Sequence, residues 1–224
     1  LYDEEVAYAD RELGRLLDGI EGLGLNEDTM IVVVSDHGEE LYERGRWGHL
    51  EVNLHDEIVR VPLIARLAGA ATEATAGTEV TSQVSTLDIL PTVLDLCGLD
   101  APAGVLGRSL LPLLAGGGSE HDAEVAICER WRPDAHRIAV RTPAHKYIWD
   151  ADAAVAPALF DLAADPGESH DLSGENGARV DELHTHVVAV LEDMRRTAPV
   201  AGPAAAPELD APLAARLRGL GYLE

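Results

Sequence analysis

The sequence predicts an α/β core followed by a small antiparallel β subdomain with a packed helix. Three observations carry this. A helix-patterned segment runs straight into a short β-branched apolar run, "MIVVV" at Met30–Val34, which reads as a strand buried on both faces of a mostly parallel sheet. A second apolar run and a capped helix follow it. From Val125 the texture changes to short strands with polar breaks, the mark of an antiparallel sheet.

Taken in order, Tyr2 to Leu23 carries Val6, Ala9, Leu13, Leu16, Leu17 and Ile20 at helical spacing, with acids in its first turn. Gly22, Gly24 and Asn26 end it. Val59–Ala65, "VRVPLIA", is a second strand candidate, although Pro62 suits a central strand poorly. Gly69–Gly77 reads as a surface connection. A helix is expected from near Ser85, with Asp88 three residues on in a capping-box arrangement, to Gly98. "VAICERW", "RIAVRT", "KYIWD" and "ALFDL" are the four later strands, and Ala178–Arg196 is an amphipathic helix. "APVAGPAAAPELDAP" reads as an irregular tail. The two parts are taken as residues 1–118 and 119–224.

At 224 residues and 46% hydrophobic, with mean hydropathy near zero, the chain can bury a proper core. No apolar run approaches the ~18 residues of a bilayer span. Forty acidic residues against 17 basic give −23, which argues against nucleic acid, whose phosphates need a basic footprint. The basic residues comprise one lysine, Lys146, and otherwise arginine. Two origins fit this surface. One is a high-salt cytoplasm, where screening to ~3 Å at molar salt makes self-repulsion cheap; the other is an ordinary acidic protein. Cytoplasmic placement is the expectation, together with an upstream segment before Leu1 that would hold any targeting signal. Cys97 and Cys128 have no redox or metal spacing and read as buried apolar thiols.

The chemistry gathers at "VVVSDHGEELYERGRWGH", Val32–His49. Ligands bind at the carboxyl ends of strands in open α/β sheets, which is where Asp36 and His37 follow Val34. A carboxylate oxygen and an imidazole nitrogen supply half of a divalent-cation site. Gly38 is expected to let the chain turn sharply, so that adjacent side chains converge. His49 has two readings. It is a functional imidazole returned to the strand end by a short glycine-containing loop, or a surface turn histidine beside Trp47. Glu39 and Glu40 either orient the loop or are solvated charges. His55 reads as a packing or surface residue, His145 and Lys146 as a solvated strand face or a pocket rim, and Arg60 as the partner of a carboxylate. His184 and His186 are two apart on a helix and make a poor metal pair.

"IVVVSDHGEELYERGRWGH…LHDEIVRVPLIAR", "VSTLDILPTVLDLCGL", "GVLGRSLLPLL", "RTPAHKYI", "LFDLAADPGESHDL" and "LRGLGYLE" together resemble the sulfatase family of the alkaline phosphatase superfamily, over its C-terminal half only. The resemblance implies an alkaline-phosphatase-like α/β core with a C-terminal antiparallel subdomain, and hydrolysis of small-molecule or glycan sulfate esters. It implies a divalent metal, Ca²⁺ before Mg²⁺ or Mn²⁺, with Asp36 and His37 among its ligands, and makes His49 a sulfate contact or the acid to the leaving alkoxide.

The family's nucleophile is a formylglycine made within C/S-x-P-x-R, and that motif is absent here, as is the early aspartate pair. "CERWR" at Cys128–Arg132 has arginine where proline belongs and is rejected. Formylglycine is therefore expected upstream, and the isolated chain is expected to bind divalent metal weakly and to be inactive. Two alternatives stand: a phosphodiesterase, phosphonate monoester hydrolase or phospho-headgroup transferase of the same superfamily, and a non-catalytic binding protein that kept the scaffold. Nothing in the sequence fixes the oligomeric state.

Overall fold

The structure, a computed structural model, describes residues 2–49, 53–69, 75–115, 125–132, 135–151 and 155–197. The tail from Ala198 and most of the expected boundary near residue 118 lie outside them. α1 (Tyr2–Gly22) forms as its periodicity demands, with Asp3, Glu4 and Glu5 in its first turn complementing the helix dipole. No α1 side chain is buried, and Val6 and Leu16 stand 53% and 61% exposed. Of its apolar stripe, Leu13, Leu17 and Ile20 are half-buried, and Val6, Ala9 and Leu16 are exposed.

β1 (Ile31–Val34) pairs with β4 (Leu63–Arg66), and the pairing is antiparallel, with Ile31 opposite Arg66 and Val34 opposite Leu63. The expected parallel sheet is corrected here: every ladder among the described residues is antiparallel. Nor is β1 buried on both faces, since Ile31–Val33 are half-buried and Val34 is exposed, and an apolar run by itself carries no strand direction. Direction is decided by the connection. The chain leaves β1 at Val34, builds the hairpin of β2 (Glu40–Leu41) and β3 (Trp47–Gly48) and the short α2 (Asp56–Val59), then re-enters at Leu63 beside the end it left. The second strand also starts later than expected, directly after Pro62, whose missing N–H is then outside the ladder.

Ser85 opens a 3₁₀ turn at Thr86–Asp88 that continues into α3 (Ile89–Leu96). Both capping-box bonds form: Ser85 Oγ accepts from Leu87 N–H at 3.3 Å, and Asp88 accepts from Ser85 N–H at 2.8 Å. Asp88 is buried because its second oxygen accepts from Arg108 N–H at 2.8 Å. α4 (Leu111–Leu114) follows. Cys97 sits exposed at the end of α3 rather than in a core.

The later residues form a four-stranded antiparallel sheet in the order β5 (Ala126–Arg132), β6 (Ala135–Arg141), β7 (His145–Asp150), β8 (Ala158–Asp161), followed by α5 (Gly177–Thr197). Strand alternation gives the sheet two apolar faces. Ile138, Val140, Tyr147 and Leu159 pack against Leu183 and Val187 of α5. Ala139, Ile148 and Phe160 turn the other way and pack with Leu162 and Leu54. Leu54 precedes α2, so the second face joins the sheet to the segment that follows the Asp36–His49 loop. No helix among the described residues is long and apolar enough to cross a membrane.

Candidate active site

β1 ends at Val34 and delivers Ser35, Asp36 and His37 at its carboxyl end. Ser35 Oγ donates to the His37 carbonyl at 2.6 Å, which ties the turn. One Asp36 oxygen accepts from His37 N–H at 3.1 Å, and the other lies 3.8 Å from His37 Nε2. His37 Nδ1 is 2.8 Å from the Gly38 carbonyl. A carbonyl only accepts, so Nδ1 carries the proton and Nε2 is left with a free lone pair in the neutral ring. The Asp36 side chain is 84% exposed.

Gly38 serves a different need from the one expected. A Cβ there would meet the Glu57 carbonyl oxygen at 2.0 Å, and Gly38 N–H donates to Ile58 O at 2.7 Å. The glycine lets the loop backbone lie directly on α2.

The β2–β3 hairpin then brings His49 back. Glu40 pairs with Gly48 and Leu41 with Trp47, with Tyr42 (φ 86°) and Gly45 (φ 77°) in the turn. That register sets Glu39 opposite His49, and Glu39 Oε2 lies 2.8 Å from His49 Nδ1. The carboxylate fixes the imidazole with Nε2 free. The His37 and His49 rings lie against each other, centroids 4.1 Å apart and planes tilted by 37°. His37, Glu39 and His49 each offer a metal-ligating atom within 4.8 Å of the others. Glu39 is the member that sequence reasoning left undecided; two-for-two hairpin counting from Gly48 back to Glu40 is the signal that finds it.

Below this surface lies a buried polar layer. Glu40 is 1% exposed and accepts from Asn53 Nδ2 at 3.0 Å, and the same amide reaches Glu57 at 3.1 Å. Arg44, in the hairpin turn, donates to Glu57 at 2.7 Å and to the carbonyls of Glu168 and Gly167 at 3.0 and 3.2 Å. Lys146 is fully buried, not on a solvated strand face: it pairs with Asp56 and, at 2.7 Å, with Glu168. Alternation explains this, since Tyr147 faces α5 and Lys146 therefore faces α2. Arg141 adds a pair to Asp56 at 3.1 Å. Arg60 is exposed, and Arg44 takes the nearby carboxylate instead.

Burial works against the charge of Asp56, but hydrogen bonds from Arg141 and Lys146 hold it below the usual carboxylate range. The same contest, won by Arg44, lowers Glu57. At Glu168 burial wins over Lys146 and pushes the carboxyl up. His55 packs on Phe160 at 5.3 Å, and burial together with the charge of Arg44 lowers it to about 4. It is a packing residue that stays neutral. Burial raises the Cys128 thiol, which leaves it a poor nucleophile in the middle of β5.

Asp36, His37, Glu39 and His49 gather potential metal-ligating groups at and just beyond the carboxyl end of β1. Residues 1–99 match the family described as Sulfatase. Arylsulfatase K of Mus musculus is 33% identical over 178 residues, 75% of this chain and 31% of its own length. Choline-sulfatase of Rhizobium meliloti (strain 1021) is 31% identical over 200 residues, 87% of this chain and 36% of its own. The solved phosphonate monoester hydrolase of Agrobacterium radiobacter superposes with a TM-score of 0.73 at 26% identity, covering 84% of this chain and 40% of that one. The chain thus spans about a third of the length of the curated relatives it matches. It belongs to the sulfatase family of the alkaline phosphatase superfamily.

Proposed function

We propose that this chain supplies the metal-binding and sulfate-facing part of a sulfate ester hydrolase. The observation that carries the reading is convergence: His37, next to Asp36 at the end of β1, meets His49 from the return hairpin, with the two rings 4.1 Å apart. Asp36 and His37 would contribute two ligands to a divalent-cation shell, since a carboxylate oxygen and Nε2 3.8 Å apart are close enough to share one ion. The exposed flank of Asp36 leaves room for further ligands. Ca²⁺ is the proposed ion, with Mg²⁺ or Mn²⁺ as substitutes. When bound, it polarises a sulfate oxygen and holds the nucleophile.

The chain's own residues do the rest. Asp36 and His37 hold the cation. Glu39 fixes the His49 ring, and His49 presents Nε2 to the sulfate or to the departing alkoxide oxygen. The formylglycine nucleophile is proposed to come from an upstream segment, so residues 1–118 complete a core and residues 119–224 form the subdomain that backs it. The substrate is a small-molecule or glycan sulfate ester, as the sulfatase names of the relatives suggest. Cytoplasmic placement in a high-salt cell remains the proposal for the acidic surface.

A second reading, phosphonate monoester hydrolysis on the same metal site, is favoured by the structural likeness to that enzyme of Agrobacterium radiobacter. The protein carrying this chain with its nucleophile segment, supplied with Ca²⁺, should release sulfate from an aryl sulfate faster than it cleaves a phosphonate monoester. The reverse preference moves the assignment to the second reading. Turnover of neither would make the chain a scaffold-retaining binding protein.

A further inference from the structure

We infer that His37, Glu39 and His49 form a second, softer cation site, a two-imidazole, one-carboxylate site for Zn²⁺ or a like borderline ion. It shares residues with the proposed active site, but it stands on donor geometry alone.

Three separate backbone positions converge on it. His37 comes from the loop after β1, Glu39 from the residue before β2, and His49 from the residue after β3. The Glu40–Gly48 pairing sets the last two opposite each other, and the tilted ring contact at 4.1 Å sets the first against the third. Donor atoms lie within 4.8 Å of one another against the ~3.3 Å spacing of a tetrahedral ion with ~2.0–2.1 Å bonds, so an ion would draw the widest pair together by about 1.5 Å and compete with the hydrogen bond between Glu39 and His49 Nδ1. His37 already has the tautomer a ligand needs, its Nδ1–H being given to the Gly38 carbonyl, which leaves the Nε2 lone pair free.

The base under the donors is rigid. Gly38 N–H is bonded to Ile58 O at 2.7 Å, and Glu40 is buried beneath the hairpin. The mouth is open: the side chains of His37, His49 and Glu39 are 38%, 42% and 28% exposed, which leaves access for the ion and a place for water as fourth ligand.

Donor softness separates this site from the one shared by Asp36. Two nitrogens and one oxygen suit zinc, whereas calcium needs a shell built mostly of oxygens, in which His37 would be at most a single nitrogen. The sequence alone implied weak binding of any divalent ion because it counted only Asp36 and His37; the hairpin adds two donors to His37. An ion held here takes His37 from the hard-cation pair and His49 from the substrate. The site is therefore inhibitory for any chemistry that uses them.

The test is calorimetric titration of Zn²⁺, and separately Ca²⁺, into the 224-residue chain. One saturable Zn²⁺ site is expected, weakened at least about 10-fold in both Glu39→Gln and His49→Ala, with a smaller loss in Asp36→Asn and no displacement by equimolar Ca²⁺. Zinc-edge absorption should show two imidazoles in the shell. Absence of saturable Zn²⁺ binding, or binding that survives Glu39→Gln and His49→Ala, overturns the site. So does a loss in Asp36→Asn as large as that in His49→Ala. Turnover is never read, so failure here leaves the hydrolase reading standing, and failure of that reading leaves the zinc site standing.

Discussion

Glu39 and His49 face each other across the first open pair of the β2–β3 hairpin, carboxylate oxygen to Nδ1 at 2.8 Å. A histidine held by a carboxylate in this way acts with it as a unit. Glu39→Gln and His49→Ala should each lower kcat about 10- to 100-fold in the protein with its nucleophile segment. The double variant should be no worse than His49→Ala, since the carboxylate acts only through the ring. Steady-state kinetics of the four proteins decides; additive losses would separate the two residues.

Gly38 is a packing requirement, so Gly38→Ala should cost about 2 kcal/mol or more of stability as the Glu57 carbonyl is driven back from 2.0 Å. Gly14 is the internal contrast. It lies inside α1 with nothing within 4 Å of a built Cβ, and Gly14→Ala should stabilise by about 0.5–1 kcal/mol. Urea midpoints of the two variants should move in opposite directions.

Lys146→Ala leaves Asp56 and Glu168 without their shared cation, 16% and 1% exposed. Breaking a buried pair from one side costs about 3–5 kcal/mol. Chemical denaturation should show a loss of that order. A change within about 0.5 kcal/mol would place Lys146 on the solvated face that its charge alone suggests.

That residue shows where sequence reading stops. Strand assignments in the last hundred residues came through almost to the residue, because alternation and breaks are local signals. The capping box at Ser85 and Asp88 is local as well. The side of the sheet that Lys146 faces depends on α2 packing against β7, a contact between residues 90 positions apart. The direction of β1 relative to β4 likewise depends on how the intervening loop is stacked. Asp36, His37 and His49 were readable as a motif, and Glu39 became part of the cluster only once hairpin register was fixed.

His55 gives the pH dependence its sign. Its folded-state value, near 4, lies below the 6.5 of the free side chain, so the unfolded chain binds more protons between these limits. Stability is present above pH 6.5 and is lost as pH falls toward 4. Linkage allows ~3 kcal/mol at most for such a shift, and partial exposure reduces it to on the order of 1–2 kcal/mol. Asp56 and Glu57, both held low, add their losses further down, below the ordinary values of 3.8 and 4.5, whereas Glu168, pushed up by burial, works in the opposite sense above 4.5. Urea midpoints should fall from pH 7 to pH 4.5, less steeply in His55→Gln. An acid slope as steep in His55→Gln as in wild type would contradict the buried neutral imidazole.

In the proposed enzyme, Asp36 anchors a cation that carries the sulfate's charge. The most direct measurement is kcat on an aryl sulfate for wild type and Asp36→Ala, each with saturating Ca²⁺, in the protein bearing its nucleophile segment. Removing an anionic ligand from a hard ion should lower kcat by roughly 10³ or more, to the level of wild type stripped by a chelator. An Asp36→Ala enzyme within about 10-fold of wild type, where each 1.36 kcal/mol of barrier is one decade, would contradict the claim and leave the strand end as a polar loop.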